Sequence, residues 1–149
     1  MPVNPELVGR EFPPTPPYLV GREKVREFAR AVFAEDPQHL DPAAAQALGY
    51  ADVVAPPTFA IVVTDATLQQ LLAEPDSGIV LQNVLHAEQK FRFSRPIVAG
   101  DELTARLAVT GIRAMGAAAM VTSESEITDA AGEHVVTTTS VLLVGEGDA

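Results

Sequence analysis

No cysteine occurs in the 149 residues, which excludes disulfides and thiolate-ligated metal sites. That absence is compatible with a reducing compartment. Positive charge is scarce. Ten Lys and Arg stand against twenty Asp and Glu, for a formal net charge of −10. Without a large basic face, no nucleic-acid partner is expected. Long apolar runs are also missing. None reaches the roughly 18 residues a membrane span needs, and the stretch 58–72 is broken by Thr64, Asp65 and Gln69. The opening MPVNPELVGREF has no basic segment followed by an apolar one, so no signal peptide and a cytoplasmic setting are expected. Internal repeats and low-complexity segments are absent too. What is present suits one compact α+β domain over residues 1–149, large enough to need no covalent staple.

The few basic residues cluster. Arg10, Arg22, Lys24, Arg26 and Arg30 lie early, and Lys90, Arg92 and Arg95 lie together later. Two readings stand: solvated element faces, or a local positive spot for an anionic carrier or nucleotide phosphate.

After a stiff PPTPP segment, Val25, Phe28, Ala29, Val32 and Phe33 recur at helical steps. They predict an amphipathic helix over 22–34 with those five on its buried face, ended by Pro37. Asp41 and Pro42 supply an N-cap and first helical position, and Gly49 a C-cap, for a second helix. A third is predicted from near Thr58. It has almost no polar face, so it should be buried on most sides, and residues 75–78 stop it.

Beyond Gly78 the pattern turns extended, with strands predicted over 82–94, 101–115, 117–129 and 133–145. Breaks fall at Pro96 with Gly100, at Gly116 and at residues 129–132. The last two are hairpin turns. Strict alternation places Leu85, Ala87, Gln89, Phe91 and Phe93 on one face, and puts His86 and Gln89 on opposite faces, so neither receives a catalytic role. His134 follows a turn and is expected to be exposed. Residues 145–149 read as a frayed tail. An antiparallel sheet needs cover, and the apolar helix is the obvious cover. Apolar residues at alternate positions on the outer face predict a dimer or larger oligomer.

Between the first and second helices, Glu35, Asp36 and His39 fall within five positions. Imidazole titrates near neutrality and passes protons either way. A neighbouring carboxylate can orient the ring or hold the far end of a water molecule. These residues are the catalytic candidates, against a structural or merely exposed role. The turn APPTF then fixes the chain before the third helix, whose free N–H groups can stabilise an oxyanion. Pro56, Pro57, Thr58 and Phe59 are therefore the substrate-binding candidates, against a plain rigid lead-in to a helix.

The segments HLDPAAAQALGYADVVAPPTF and FRFSRPIVAGDEL, in that order, resemble the MaoC-like, R-specific enoyl hydratase/dehydratase family of hot-dog proteins. The opening VGREFPP, then PYLVGREKVREFA, is similar to HadA/HadC-type dehydratase subunits and their actinobacterial relatives. The resemblance implies a curved antiparallel sheet wrapped around a long central helix, dimerising, with an acyl thioester of CoA or acyl carrier protein as ligand. It implies no cofactor and no metal. Its chemistry is reversible syn addition of water across a trans-2-enoyl thioester, with a His and an Asp holding the water and helix-end N–H groups stabilising the enolate oxygen. The family motif runs Asp-x-Asn-Pro-(Leu/Ile)-His. Laid on this chain, His39 takes the catalytic histidine, Pro37 the proline and Asp36 the asparagine. The aspartate position holds Ala34, which cannot exchange a proton.

Three functions follow as expectations. The chain is an acyl-thioester-binding subunit that needs a catalytic sister subunit. Alternatively it is a self-sufficient homodimeric hydratase using His39 with Asp36 or Glu35. The third is a non-enzymatic binder of acyl-CoA or another apolar ligand. In each, the acyl groove runs between the third helix and the sheet, where Phe59, Ile61, Val62, Leu85, Phe91 and Phe93 either line it or form plain core.

Overall fold

The computed structural model describes residues 2–147. Three helices precede the main sheet: α1 (Arg22–Ala31), α2 (Pro42–Ala47) and α3 (Ala60–Ala73). The strands are β1 (Tyr18–Leu19), β2 (Val84–Phe93), β3 (Glu102–Met115), β4 (Ala118–Thr128) and β5 (His134–Val144), in the antiparallel order β1-β3-β4-β5-β2. The sheet curves around α3, the hot-dog arrangement the resemblance implies. All four predicted strands lie within one or two residues of the long observed ones. The hairpin turns sit where the glycines place them. Gly116 takes φ 60 in the two-residue loop between the paired Met115 and Ala118, as a tight hairpin requires.

α1 is shorter than predicted. Phe33 adopts φ 60, and the Ala34 N–H closes onto the Ala29 carbonyl at 2.8 Å. A left-handed residue after the last turn satisfies the helix's final carbonyls and ends it there. Val25 and Ala29 are buried as expected, but Val32 and Phe33 are 44% and 83% exposed. The cap has turned them away from the face they would have continued. α2 carries both predicted caps: the Asp41 carboxylate accepts from the Ala43 N–H at 3.0 Å, and Gly49 takes φ 95.

α3 begins at Ala60 after a short 3-10 turn, Pro57–Phe59. Ala60, Val63, Thr64, Thr67 and Leu71 are buried, while Ile61, Val62, Leu68 and Leu72 stay half-exposed. Within one chain the helix therefore covers one face only, not most of its circumference.

Two apolar clusters flank the helix. Phe59, Ala60 and Val63 pack with Leu103, Ala105, Ile127 and Val136 at its N-terminal end. Leu71 packs with Leu107, Val109, Val121, Leu142 and Val144 at the other. The sheet's outer face departs from expectation. Register places Arg92, Thr137, Glu126 and Arg106 side by side across four strands. Only the end holding Leu85, Leu143 and Met120 is apolar there. Of the predicted tail, Gly145 is tied down by a 2.8 Å bond from its N–H to the Asn83 carbonyl, and residues 148–149 lie outside the described residues.

The N-terminal segment straps across the far end of α3. The Asn4 N–H donates to the Ser77 carbonyl at 3.0 Å, and Arg10 forms ion pairs with Glu74 and Asp76. Gly78 takes φ +74 beneath this strap, and a Cβ there would lie 2.0 Å from the Pro2 carbonyl oxygen. Gly78→Ala is expected to cost about 2 kcal/mol or more, combining left-handed strain with overlap. Gly9→Ala, at φ +81 with open space around it, should cost only the strain. Urea denaturation of both variants checks this. Equal costs would mean the strap is not docked.

Candidate active site

The loop from Val53 to Ala55 is the scaffold of the site. Asp52 anchors it: Arg22 donates to its carboxylate from Nε at 2.9 Å and Nη2 at 2.7 Å. The same carboxylate accepts the Val53 N–H at 2.7 Å. The Arg22 hydrogen bonds hold the Asp52 carboxyl below its ordinary pKa, so it remains an anchor to lower pH than a free aspartate. On the other side, the Ala55 N–H bonds the Ile97 carbonyl at 2.8 Å and the Ala99 N–H bonds the Val53 carbonyl at 3.0 Å. This clip comes from the RPIVAGD link quoted within the resemblance.

Onto this scaffold folds a second 3-10 turn, Pro37–His39. The Val54 N–H donates to the Gln38 carbonyl at 2.9 Å, and His39 Nδ1 lies 2.6 Å from the Val54 carbonyl. A carbonyl only accepts, so Nδ1 carries the proton. In the neutral ring that fixes the tautomer and puts the lone pair on Nε2. His39 as a residue is 9% exposed. It is thus a buried residue whose oriented imidazole has one nitrogen free for proton work.

Its expected acid partners are placed differently. Glu35 and Asp36 are both exposed. The Asp36 backbone carbonyl accepts the His39 N–H at 3.0 Å, but no side-chain hydrogen bond joins either carboxylate to the ring among the described residues. Ala34, in the position the resemblance reserves for aspartate, is half-buried.

The APPTF turn divides likewise. Pro57 and Thr58 are exposed at the start of α3, and Pro56 is buried. Phe59 is fully buried, edge-on to Phe28 with ring centroids 5.4 Å apart. Its side chain is core, so only its backbone can face a ligand.

A cavity of about 130 Å³ opens between α3 and the sheet. Ile61, Asp65, Leu68 and Leu71 of α3 line it, together with His86 and Gln89 of β2. Among the groove candidates only Ile61 does so. Val62, Phe91 and Phe93 pack against the core, and Leu85 is 67% exposed on the opposite face. The parity expected for β2 fails at a β-bulge: His86 pairs with Leu142 and Glu88 with Val141, leaving Ala87 extra. The inserted residue flips the alternation, so His86 and Gln89 share the inner face. Nothing in the sequence around Ala87 signals a bulge.

The basic clusters are largely neutralised. Arg10, Arg22, Lys24, Arg26, Lys90 and Arg95 each sit in an ion pair with Asp or Glu. These pairs favour the solvated-face reading for those six, while Arg30 and Arg92 have no ion pair among the described residues. His134 is half-buried rather than exposed, bridging the Ser94 hydroxyl at 2.5 Å and the Thr137 hydroxyl at 2.7 Å.

Residues 6–138 match the FAS1-like, dehydratase domain region. The chain belongs to this family. This FAS1-like dehydratase-region protein is 61% identical over 149 residues, the whole of both chains, to a UPF0336 protein of Clavibacter michiganensis subsp. michiganensis. It matches a chain of the HadBC (3R-hydroxyacyl-ACP dehydratase) complex of Mycobacterium tuberculosis with TM-score 0.79 and 33% identity, over 89% of this chain and 92% of that one. A MaoC-like dehydratase matches with TM-score 0.77 and 39% identity, over 95% of this chain and 43% of that one. The protein is thus a hot-dog member of the dehydratase/hydratase family. Among its described residues no helix is long and apolar enough to cross a membrane.

Proposed function

We propose that this chain is the acyl-thioester-binding subunit of a (3R)-3-hydroxyacyl-CoA or -ACP dehydratase, working beside a sister subunit that carries the complete acid–base pair. The observation that carries this reading is the state of His39. The residue is buried and its ring is oriented, with the neutral form's lone pair on Nε2, yet Glu35 and Asp36 are exposed and the motif's acid position is Ala34. An imidazole alone can poise a water molecule. The family reaction also needs a carboxylic partner to take up or return the second proton. The similarity to a chain of the HadBC dehydratase complex supports an assembly of unlike subunits. The half-exposed flank of α3, Ile61, Val62, Leu68 and Leu72, offers apolar surface for such a sister chain.

Within the assembly, the N–H groups at the start of α3, framed by Pro57 and Thr58, stabilise the enolate oxygen of the thioester. The acyl group extends along α3 into the cavity that begins at Ile61. A cytoplasmic setting, where acyl thioesters are handled, goes with this reading.

The test compares the isolated chain with the complex it co-purifies with from native cells. Crotonyl-CoA hydration by the chain alone should be slower by about 10²–10⁴-fold, the usual contribution of a general acid–base group. Fast turnover by the chain alone, abolished by His39→Ala, would reject the proposal in favour of a self-sufficient homodimer.

A further inference from the structure

The two apolar clusters that flank α3 do not meet as one continuous core. Between them lies a belt of polar side chains from α3, β2, β4 and β5. β4 supplies Ser123 and Ser125, β5 Thr138 and Ser140, β2 His86 and Gln89, and α3 Thr64 and Thr67. Register aligns them: Ser123 is opposite Ser140, Ser125 opposite Thr138, and Gln89 opposite Ser140. These groups line the same cavity. Apolar walls come only from Ile61, Leu68, Leu71, Leu107 and Leu142.

Hydrogen-bond accounting separates groups that serve the fold from groups that face the void. The Thr67 hydroxyl donates to the Thr64 carbonyl at 2.7 Å, so it accepts from Ser125 at 3.0 Å. The Thr64 hydroxyl donates to the Ile61 carbonyl at 3.3 Å. Ser140 and the Glu88 carbonyl share His86 Nε2, at 3.3 and 3.1 Å. Besides the exposed Asp65 carboxylate and the hydrogen of the half-buried Ser140 hydroxyl, three buried groups remain. Gln89 Oε1 is buried with no hydrogen-bond partner. Ser123 and Thr138, 7% and 3% exposed, have hydroxyls without a partner among the described residues. The buried part of the cavity therefore offers two O–H donors and one carbonyl acceptor, and the exposed Asp65 carboxylate adds an acceptor on the same lining. Lining it with a plain alkyl chain would leave all three buried groups desolvated and unpaired, which costs more than the apolar contact returns.

We infer that the acyl group this site takes carries a hydroxyl beyond the reacting carbons, because a hydroxyl both gives and accepts a hydrogen bond. The inference rests on the acyl-thioester reading and adds the substrate class. Size admits such a group: about 130 Å³ is well above the roughly 10–15 Å³ that one water-sized group needs. Position agrees as well. Ile61, Thr64, Asp65, Leu68 and Leu71 follow the helical repeat down one face of α3, so the cavity lies along the helix from its first turn onward. A thioester carbonyl at the helix start would direct its acyl chain to the polar belt.

The experiment measures binding by calorimetry to the complex isolated from native cells. The probes are 4-hydroxybutanoyl-CoA and pentanoyl-CoA, equal in length and differing in a terminal hydroxyl or methyl. The hydroxyl probe should bind about tenfold more tightly, the effect of one good hydrogen bond in a desolvated site. Thr138→Val and Ser123→Ala, which keep strand-compatible shapes, should each shrink that preference to about twofold without weakening pentanoyl-CoA. Equal or tighter binding of pentanoyl-CoA overturns the inference and leaves the acyl-thioester reading intact. Failure of both probes, and of octanoyl-CoA, overturns that reading and the inference with it. A crystal structure with the hydroxyl probe present and only water or a partner side chain in the cavity also overturns the inference.

Discussion

Ala34→Asp is expected to raise crotonyl-CoA hydration by the isolated chain about 10²-fold, the lower range for a positioned proton-transfer group. The imidazole it would serve is already in place. His39 Nδ1 is committed to the Val54 carbonyl at 2.6 Å, so Nε2 needs no reorganisation. Ala34 is half-buried, and its N–H is held by the Ala29 carbonyl at 2.8 Å, which fixes the backbone that would carry the new carboxylate. Glu35 and Asp36 cannot substitute cheaply, because both lie on the exposed side of the loop. The gain should vanish in Ala34→Asp/His39→Ala, since two groups that hold one water act as a unit. Steady-state rates for wild type, both single variants and the double variant decide it. An unchanged Ala34→Asp rate, with the fold intact by circular dichroism, would show that the loop does not bring residue 34 to the ring.

Phe59→Ala is expected to destabilise the chain by about 3–5 kcal/mol, the range for emptying an aromatic site in a packed core. Phe59 is fully buried, and its edge-on contact with Phe28 adds to the area it removes from water. It also joins the start of α3 to α1 and to the sheet residues Leu103, Ile127 and Val136. Denaturant unfolding measures the loss. Acyl-CoA affinity of the folded fraction should be nearly unchanged, because the side chain does not line the cavity. A large affinity loss with little change in stability would return Phe59 to the ligand groove.

Much of the fold was legible because its signals are local. The Asp41–Pro42 and Gly49 caps, the hairpin glycine at 116 and the four long strands depend on residues a few positions apart. The site was less legible where the deciding contact is non-local. The motif alone suggests His39, but the Val54 carbonyl that selects its tautomer lies 15 residues away. Periodicity places Phe33 on the buried helix face, since it cannot reveal that the chain turns left-handed there. His86 and Gln89 were divided between two faces by a rule that a single inserted residue defeats. The hydroxyl belt was invisible for a related reason. Serines and threonines at alternate positions read equally well as a solvated outer face until register shows which side of each strand meets α3.

By itself the sequence determined the α+β class, the order of helices before strands, and the family. Those follow from residue type, spacing and turn chemistry, which act over a few bonds. Tertiary structure alone decided which nitrogen of the neutral His39 imidazole holds the lone pair, that the aromatic of the APPTF turn is core, and that polar groups from four elements converge on one cavity. Such outcomes depend on strand register and helix docking. These are set by burial summed over the whole chain, and no short segment encodes that sum.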